Sequence, residues 1–167
     1  QGVDGVIVPH VNTREDAERA VDAAKFEPWG HRGSGGSRKN YGRKGDQYTR
    51  ANENGFLAVM IEHYVAVDNL PEILKVPHID CFFVSHHDLS QSLGLMHDVH
   101  NPKVTETYDR GIKLIADAGK VPGGSITEDE LSKYLPMGVR FLKSSQWRAW
   151  AAAGAAAYQG KVAEQAK

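Results

Sequence analysis

Apolar runs of four to seven residues alternate along the chain with stretches in which apolar positions recur every three or four residues. "VIVPHV" (6–11) reads as a buried strand; Asn12 or Thr13 then caps a helix whose apolar face is Ala17, Ala20, Val21 and Ala24. "FLAVMIE" (56–62) is the second strand, followed by a helix containing Val67, Leu70, Ile73 and Leu74. "CFFV" (81–84) is the third. Asn101-Pro102 then supplies a cap and a first-turn proline, and Val104, Tyr108, Ile112 and Ile115 line one helix face up to Gly119 as terminator. "VPGGSI" (121–126) and "VRFL" (139–142) complete the strands, with Thr127 capping a helix through Leu135 between them. An alanine-rich helix closes the chain, with Trp147, Trp150, Ala151, Gly154 and Tyr158 on one face.

Strands apolar on both faces, each followed by a helix, predict a parallel α/β sheet. The pattern leaves two architectures open, a doubly wound sheet and a (β/α)8 barrel. A barrel takes roughly 250 residues, so five βα units in 167 residues are an incomplete one. The chain opens on Gln1 rather than methionine and runs straight into strand-like sequence, as if entering a domain part-way through, with no signal peptide ahead of it. Residues 27–46, "EPWGHRGSGGSRKNYGRKGD", hold six glycines and five Lys/Arg in a long loop. It reads either as a solvated connection or as a binding loop for an anionic ligand.

Composition narrows the function classes. With 41% hydrophobic and 25% charged residues the chain is an ordinary globular one, and no internal repeat is evident. A formal net charge of -1 gives no electrostatic reason to expect nucleic acid or an anionic membrane as partner. Cys81 stands alone, so an internal disulfide is excluded and a reducing cytoplasm is the expected location. No apolar run reaches the roughly 18 residues of a spanning helix.

Candidate chemistry gathers at two strand ends. Glu62 ends "FLAVMIE", and Asp88 lies just past "CFFV" in "SHHDLSQSLG". Neighbouring parallel strands about 4.8 Å apart present their carboxyl ends on one face, so the two carboxylates can converge on a hard divalent cation. Equally, Asp88 can cap a short helix at Leu89 and Glu62 the next one. His86-His87, with His97 and His100 downstream, invite a zinc reading; adjacent side chains diverge and rarely share one ion. Cys81 lacks a nucleophile context, no G-x-S-x-G elbow is present, and "GSGGSR" lacks a phosphate-loop frame.

Several quoted segments resemble motifs of the HpcH/HpaI aldolase family, the metal-dependent, pyruvate-specific class II aldolases. "GVIVPHVNTREDAERAVDAAKFEPWGHRGSG" is similar to V-P-x-V-x-T-x-E-x-A…P-P-x-G-x-R-G. "MIEHYVAVDNLPEILKVPHIDCFFVSHHDLSQSLG" is similar to Q-I-E…N-L-x-x-I-L…G-V-D-G-x-F-x-G-P-x-D-L-S-x-x-L-G. The likeness continues through "HNPKV", "AGKVPGGSI" and "YLPMGVRFL".

The resemblance implies a partial (β/α)8 TIM barrel carrying about strands four to eight, one domain over 1–167, with residues 145–167 packing on a neighbouring subunit of a homo-oligomer, a hexamer in the family. It implies that Glu62 and Asp88 bind Mg2+, Mn2+ or Co2+, which chelates pyruvate and stabilises its enolate. Substrate-binding positions carried over are His87 and Asp88 at the pyruvate carboxylate, Ser85 and Met60 beside them, and Arg32, whose loop would shape the aldehyde side. The implied reaction is reversible cleavage of a 4-hydroxy-2-oxo acid to pyruvate and an aldehyde. The chain departs from the family in three ways. The catalytic His-Asp pair and pyruvate-binding arginine of the family come from the first barrel strands, absent here, so no catalytic base is expected on this chain and the chain alone is expected to be inactive. Met60 stands where the family has glutamine, and Ser85-His86-His87 replaces Gly-Pro-Ala. Two alternatives accompany this reading: a carbon–carbon lyase of the citrate lyase β/malyl-CoA lyase group, and a non-catalytic binding or assembly subunit that kept the barrel shell.

Overall fold

The computed structural model describes residues 2–35, 45–96, 98–144 and 147–166. Five parallel strands form one sheet: β1 (Gly5–Val8), β2 (Phe56–Ile61), β3 (Cys81–Val84), β4 (Pro122–Ser125) and β5 (Phe141–Lys143). Their spatial order is their order along the chain, and each pairs in parallel with the next. A doubly wound sheet would reverse strand order at a switch point. This sheet advances in one direction only, as a barrel wall does.

The sheet also curls. Phe56 opens β2 and Phe141 opens β5, three strand spacings or about 14 Å apart across a flat sheet, yet their ring centroids lie 5.1 Å apart. Phe83 reaches Phe141 as well, at 6.1 Å. These rings meet on the concave side, so alternation along each strand fixes the rest. Phe56, Ala58 and Met60 face inward on β2, as do Cys81 and Phe83 on β3; Leu57, Val59, Ile61, Phe82 and Val84 face outward into the buried core. The chain is thus a partial (β/α)8 barrel, five strands with their helices.

That outward core is completed by α1 (Arg14–Ala24), α3 (Tyr64–Asp68), α4 (Leu70–Ile73), α5 (His86–Ser92), α6 (Pro102–Asp117) and α7 (Leu131–Tyr134), whereas α2 (Gln47–Asn54) adds no apolar residue to it. Thr13, one of the two expected caps, closes a capping box with Asp16, and Ala17, Ala20 and Val21 are the buried face of α1. In α6 the expected apolar stripe Val104, Tyr108, Ile112 and Ile115 is fully buried, and Gly119 at φ +69 ends the helix.

Three expectations are corrected. The single helix after β2 is two, α3 and α4, with Asn69 between them and Pro71 in the first turn of α4. The helix from Thr127 is a 3-10 turn (Glu128–Glu130) running into α7. The first strand stops at Val8, because His10 adopts φ +56 and breaks extended geometry. Residues 47–54, for which the apolar pattern gave no expectation, form α2, which Asp46 caps through the amides of Tyr48 and Thr49. Residues 36–44 of the glycine-rich stretch, and His97, lie outside the described residues.

The last helix, α8 (Trp147–Gln165), buries none of its residues, and Trp147, Trp150 and Tyr158 are 72%, 60% and 70% exposed. Among the described residues no helix is long and apolar enough to cross a membrane.

Candidate functional site at the carboxyl ends of the strands

Glu62 follows β2 directly and shares the inward parity of Met60, so its carboxylate stands at the carboxyl end of the concave face. It is only 5% exposed. Among the described residues no Lys or Arg pairs with it; its partner is His10, at the end of β1. The His10 backbone N–H donates to Oε1 at 2.8 Å, and ring Nδ1 lies 3.1 Å from the same oxygen. A buried carboxylate with no strong cation at hand is costly to desolvate, which marks Glu62 as a position where a positive charge belongs.

β2 and β3 pair as far as Ile61 and Val84, so Glu62 and Ser85 are neighbours one residue beyond. Ser85 is buried and its hydroxyl donates to Asp88 Oδ2 at 2.5 Å. Ser85 occupies the N-cap position of α5, and Asp88 lies in the first turn. The alternative that Asp88 caps this helix is therefore corrected; so is the capping role for Glu62, because His63 caps α3 with its side chain on the amide of Val65. Ser85 lies between the two candidate carboxylates: its backbone N–H donates to the carbonyl of Ile61, the residue before Glu62, and its hydroxyl donates to Asp88. Glu62, Ser85 and Asp88, with Met60 two residues below Glu62, thus gather at one strand-end face.

The paired histidines part company. His86 stacks on the buried Tyr108 ring with centroids 3.5 Å apart, and Tyr134 meets it edge-on. Burial pushes its pKa below the ordinary histidine value, opposed by Glu130 and Asp109. His87 is exposed. The two rings therefore do not converge, and among the described residues no three His, Cys, Asp or Glu side chains form a metal cage. Two carboxylates and a hydroxyl are hard oxygen donors, which suits a Mg2+-type ion that keeps waters and takes the rest of its shell from substrate. The donor set fits the implied cation.

Arg32 sits elsewhere. Its amide donates to the carbonyl of Lys25 and its guanidinium lies over the Phe26 ring, 4.8 Å from the centroid. Lys25 in turn donates to the carbonyls of Asn52 and Gly55, just ahead of β2. Arg32 therefore lies at the amino end of a six-residue strand whose far end carries Glu62, about 20 Å along the sheet. The structure does not bring it to the carboxylates. It borders a cavity of ≈ 1060 Å³ running the length of β1, which His10 also lines and Glu62 and Asp88 do not. His10 is the site residue that sequence reasoning passed over. Its only outward signal was a polar residue closing an apolar run at a strand's carboxyl end.

A curled, sequentially ordered parallel sheet with acidic residues at its carboxyl ends defines the α/β-barrel class, in which sites form on that face. The HpcH/HpaI aldolase/citrate lyase family model matches residues 1–146, and the chain belongs to this family. It is 34% identical over 145 residues to 4-hydroxy-2-oxo-heptane-1,7-dioate aldolase of Shigella flexneri, covering 84% of this chain and 54% of that protein. The same identity and coverage hold for 2-keto-3-deoxy-L-rhamnonate aldolase of Escherichia coli K12. The chain thus spans about half the length of the curated relatives it matches. Among solved structures, an HpcH/HpaI aldolase from Desulfitobacterium hafniense DCB-2 superposes with a TM-score of 0.83 at 26% identity, over 96% of this chain and 64% of that one. Citrate synthase SbnG does so with a TM-score of 0.77 at 26% identity, over 96% and 65%.

Proposed function

We propose that this chain is part of a divalent-metal-dependent aldolase that reversibly cleaves a 4-hydroxy-2-oxo acid to pyruvate and an aldehyde, with Glu62 and Asp88 as the protein ligands of Mg2+, Mn2+ or Co2+. The observation that carries the reading is Glu62, a buried carboxylate beside the Ser85–Asp88 pair at the carboxyl end of adjacent strands. A divalent cation bound there would supply Lewis-acid stabilisation of the negative charge that builds on the 2-oxo oxygen as the carbon–carbon bond breaks. Ser85 holds Asp88 in place by its short hydrogen bond. The amides of His87 and Asp88, in the first turn of α5, have no acceptor within the helix and suit the pyruvate carboxylate. Met60 presents an apolar wall below. Arg32, at the other end of β2, has no part in this site.

Calorimetric titration with Mg2+ or Mn2+, followed by pyruvate or oxalate, tests the proposal. Metal-dependent pyruvate binding that Glu62→Gln or Asp88→Asn weakens by tenfold or more is expected; pyruvate binding indifferent to metal would overturn it. The 167 residues alone are expected not to catalyse cleavage, because the base and arginine implied by the family resemblance belong to earlier barrel strands. Turnover at a normal rate by this chain alone would refute that. A citrate-type substrate is the second reading, favoured by the likeness to citrate synthase SbnG; a requirement for a CoA ester or a citrate half would select it. The exposed apolar residues of α8 support packing of 145–167 on a neighbouring subunit of a homo-oligomer. Light scattering of Trp147→Ser/Trp150→Ser should show a smaller assembly than the unaltered chain.

A further inference from the structure

His10 is 80% exposed, so apolar burial does not explain where its ring rests. It holds φ +56, a left-handed conformation that costs a residue with a Cβ on the order of 1 kcal/mol. What it gains is Glu62: two nitrogens of one residue converge on a single oxygen, the backbone N–H at 2.8 Å and Nδ1 at 3.1 Å from Oε1. Among the described residues no donor is directed at Oε2. The carboxylate is thereby divided into one oxygen that is spoken for and one that is available.

We propose that His10 is a positioning residue that decides metal selectivity, by engaging Oε1 so that Glu62 meets its cation through Oε2 alone. The inference rests on the reading of Glu62 as a metal ligand. Single-oxygen carboxylates suit the small octahedral shell of Mg2+ or Mn2+, whereas Ca2+ takes six to eight oxygens and readily accepts both from one carboxylate. Engagement of Oε1 therefore discriminates against the larger ion without His10 touching either.

The test is calorimetric titration of the 167-residue chain with MgCl2 and, separately, CaCl2, in the unaltered protein, His10→Gly and His10→Asn. Glycine accepts the left-handed backbone and removes the ring; asparagine tolerates the same backbone and restores a side-chain N–H. The backbone N–H persists in all three, so the comparison reads the ring's share. Loss of the ring's 3.1 Å approach to Oε1 predicts that His10→Gly raises the ratio of Ca2+ to Mg2+ affinity by about tenfold, with His10→Asn closer to the unaltered chain. A merely structural role would lower the unfolding midpoint and both affinities together, leaving the ratio unchanged. An unchanged ratio in a chain that binds Mg2+ overturns the inference and leaves the metal reading standing. Failure of the unaltered chain to bind either Mg2+ or Mn2+ any better than Glu62→Gln overturns the metal reading, and this inference with it.

Discussion

The most demanding test of the architecture is Gly124→Ala, at a residue of β4 that faces α6. A Cβ there would overlap the Tyr108 hydroxyl oxygen, with Cζ at 3.2 Å behind it and Ile126 Cδ1 at 3.4 Å. Tyr108 has little freedom to withdraw. It is fully buried, His86 lies flat against it, and Tyr134 abuts it edge-on at 5.2 Å. Its hydroxyl has no hydrogen-bond partner among the described residues, so no bond holds the oxygen in place, but the ring does. One methyl group must therefore push α6 off β4 or tilt the ring into His86, at a cost of about 2 to 4 kcal/mol. Tyr108→Phe removes the overlapping atom. By itself it is expected to be neutral or to stabilise by up to about 1 kcal/mol, because an unpaired buried hydroxyl is lost. In that background the nearest ring atom to the new methyl is at 3.2 Å, and Gly124→Ala is expected to cost under about 1 kcal/mol. Urea unfolding of all four proteins, extrapolated linearly, gives a double-mutant cycle with an expected coupling of at least about 1 kcal/mol. Equal losses in both backgrounds would refute the reasoning, since the constraint would then lie in the strand and not in the ring.

Three further outcomes follow from single features. Lys25 is buried and donates to the carbonyls of Asn52 and Gly55 at 3.1 and 2.6 Å, so Lys25→Met should destabilise by about 2 to 3 kcal/mol in the same urea assay. For Asp16, burial raises the pKa, but the amides of Asn12 and Thr13, the Thr13 hydroxyl and Arg19 outweigh it and hold the carboxyl below its ordinary value of 3.8. A depressed folded pKa means stability present above the unfolded value and lost as pH falls through the folded one. Asp16→Asn should therefore cost about 1 kcal/mol at neutral pH and flatten the loss of stability below pH ~4, measured by urea midpoints against pH. Burial, with a smaller contribution from Asp80, pushes the Cys81 thiol up to about 12. The native chain should leave a thiol reagent unreacted at pH 8 while the urea-unfolded chain reacts within minutes; rapid native labelling would contradict the buried placement.

Elements whose own pattern demanded burial were legible in the residues. Cys81–Val84 is apolar throughout and became β3 at the same bounds, and the stripe from Val104 to Ile115 became the inner face of α6. Helix α2 was not, because "QYTRANEN" has no apolar period. Its one buried residue is Asn52, whose amide exchanges hydrogen bonds with the backbone of Phe26. The Asp46 cap and Gly55 terminator were the signals available. The face of α8 containing Trp147 and Tyr158 is legible as apolar, yet none of it is buried among the described residues, since no residue pattern says which molecule will cover it. Of the candidate site, the two strand-end carboxylates could be named from periodicity and family likeness together. The part played by His10 could not, because it depends on a positive φ and on a contact across 52 residues of sequence.

The aromatic contact that revealed the curl also ties together strands that do not pair. Phe141, which opens β5, meets both Phe56 at the start of β2 and Phe83 near the end of β3. Side chains three strands apart therefore share one cluster on the concave face, and a smaller ring at position 141 is expected to loosen the bend of the whole sheet rather than one strand pair.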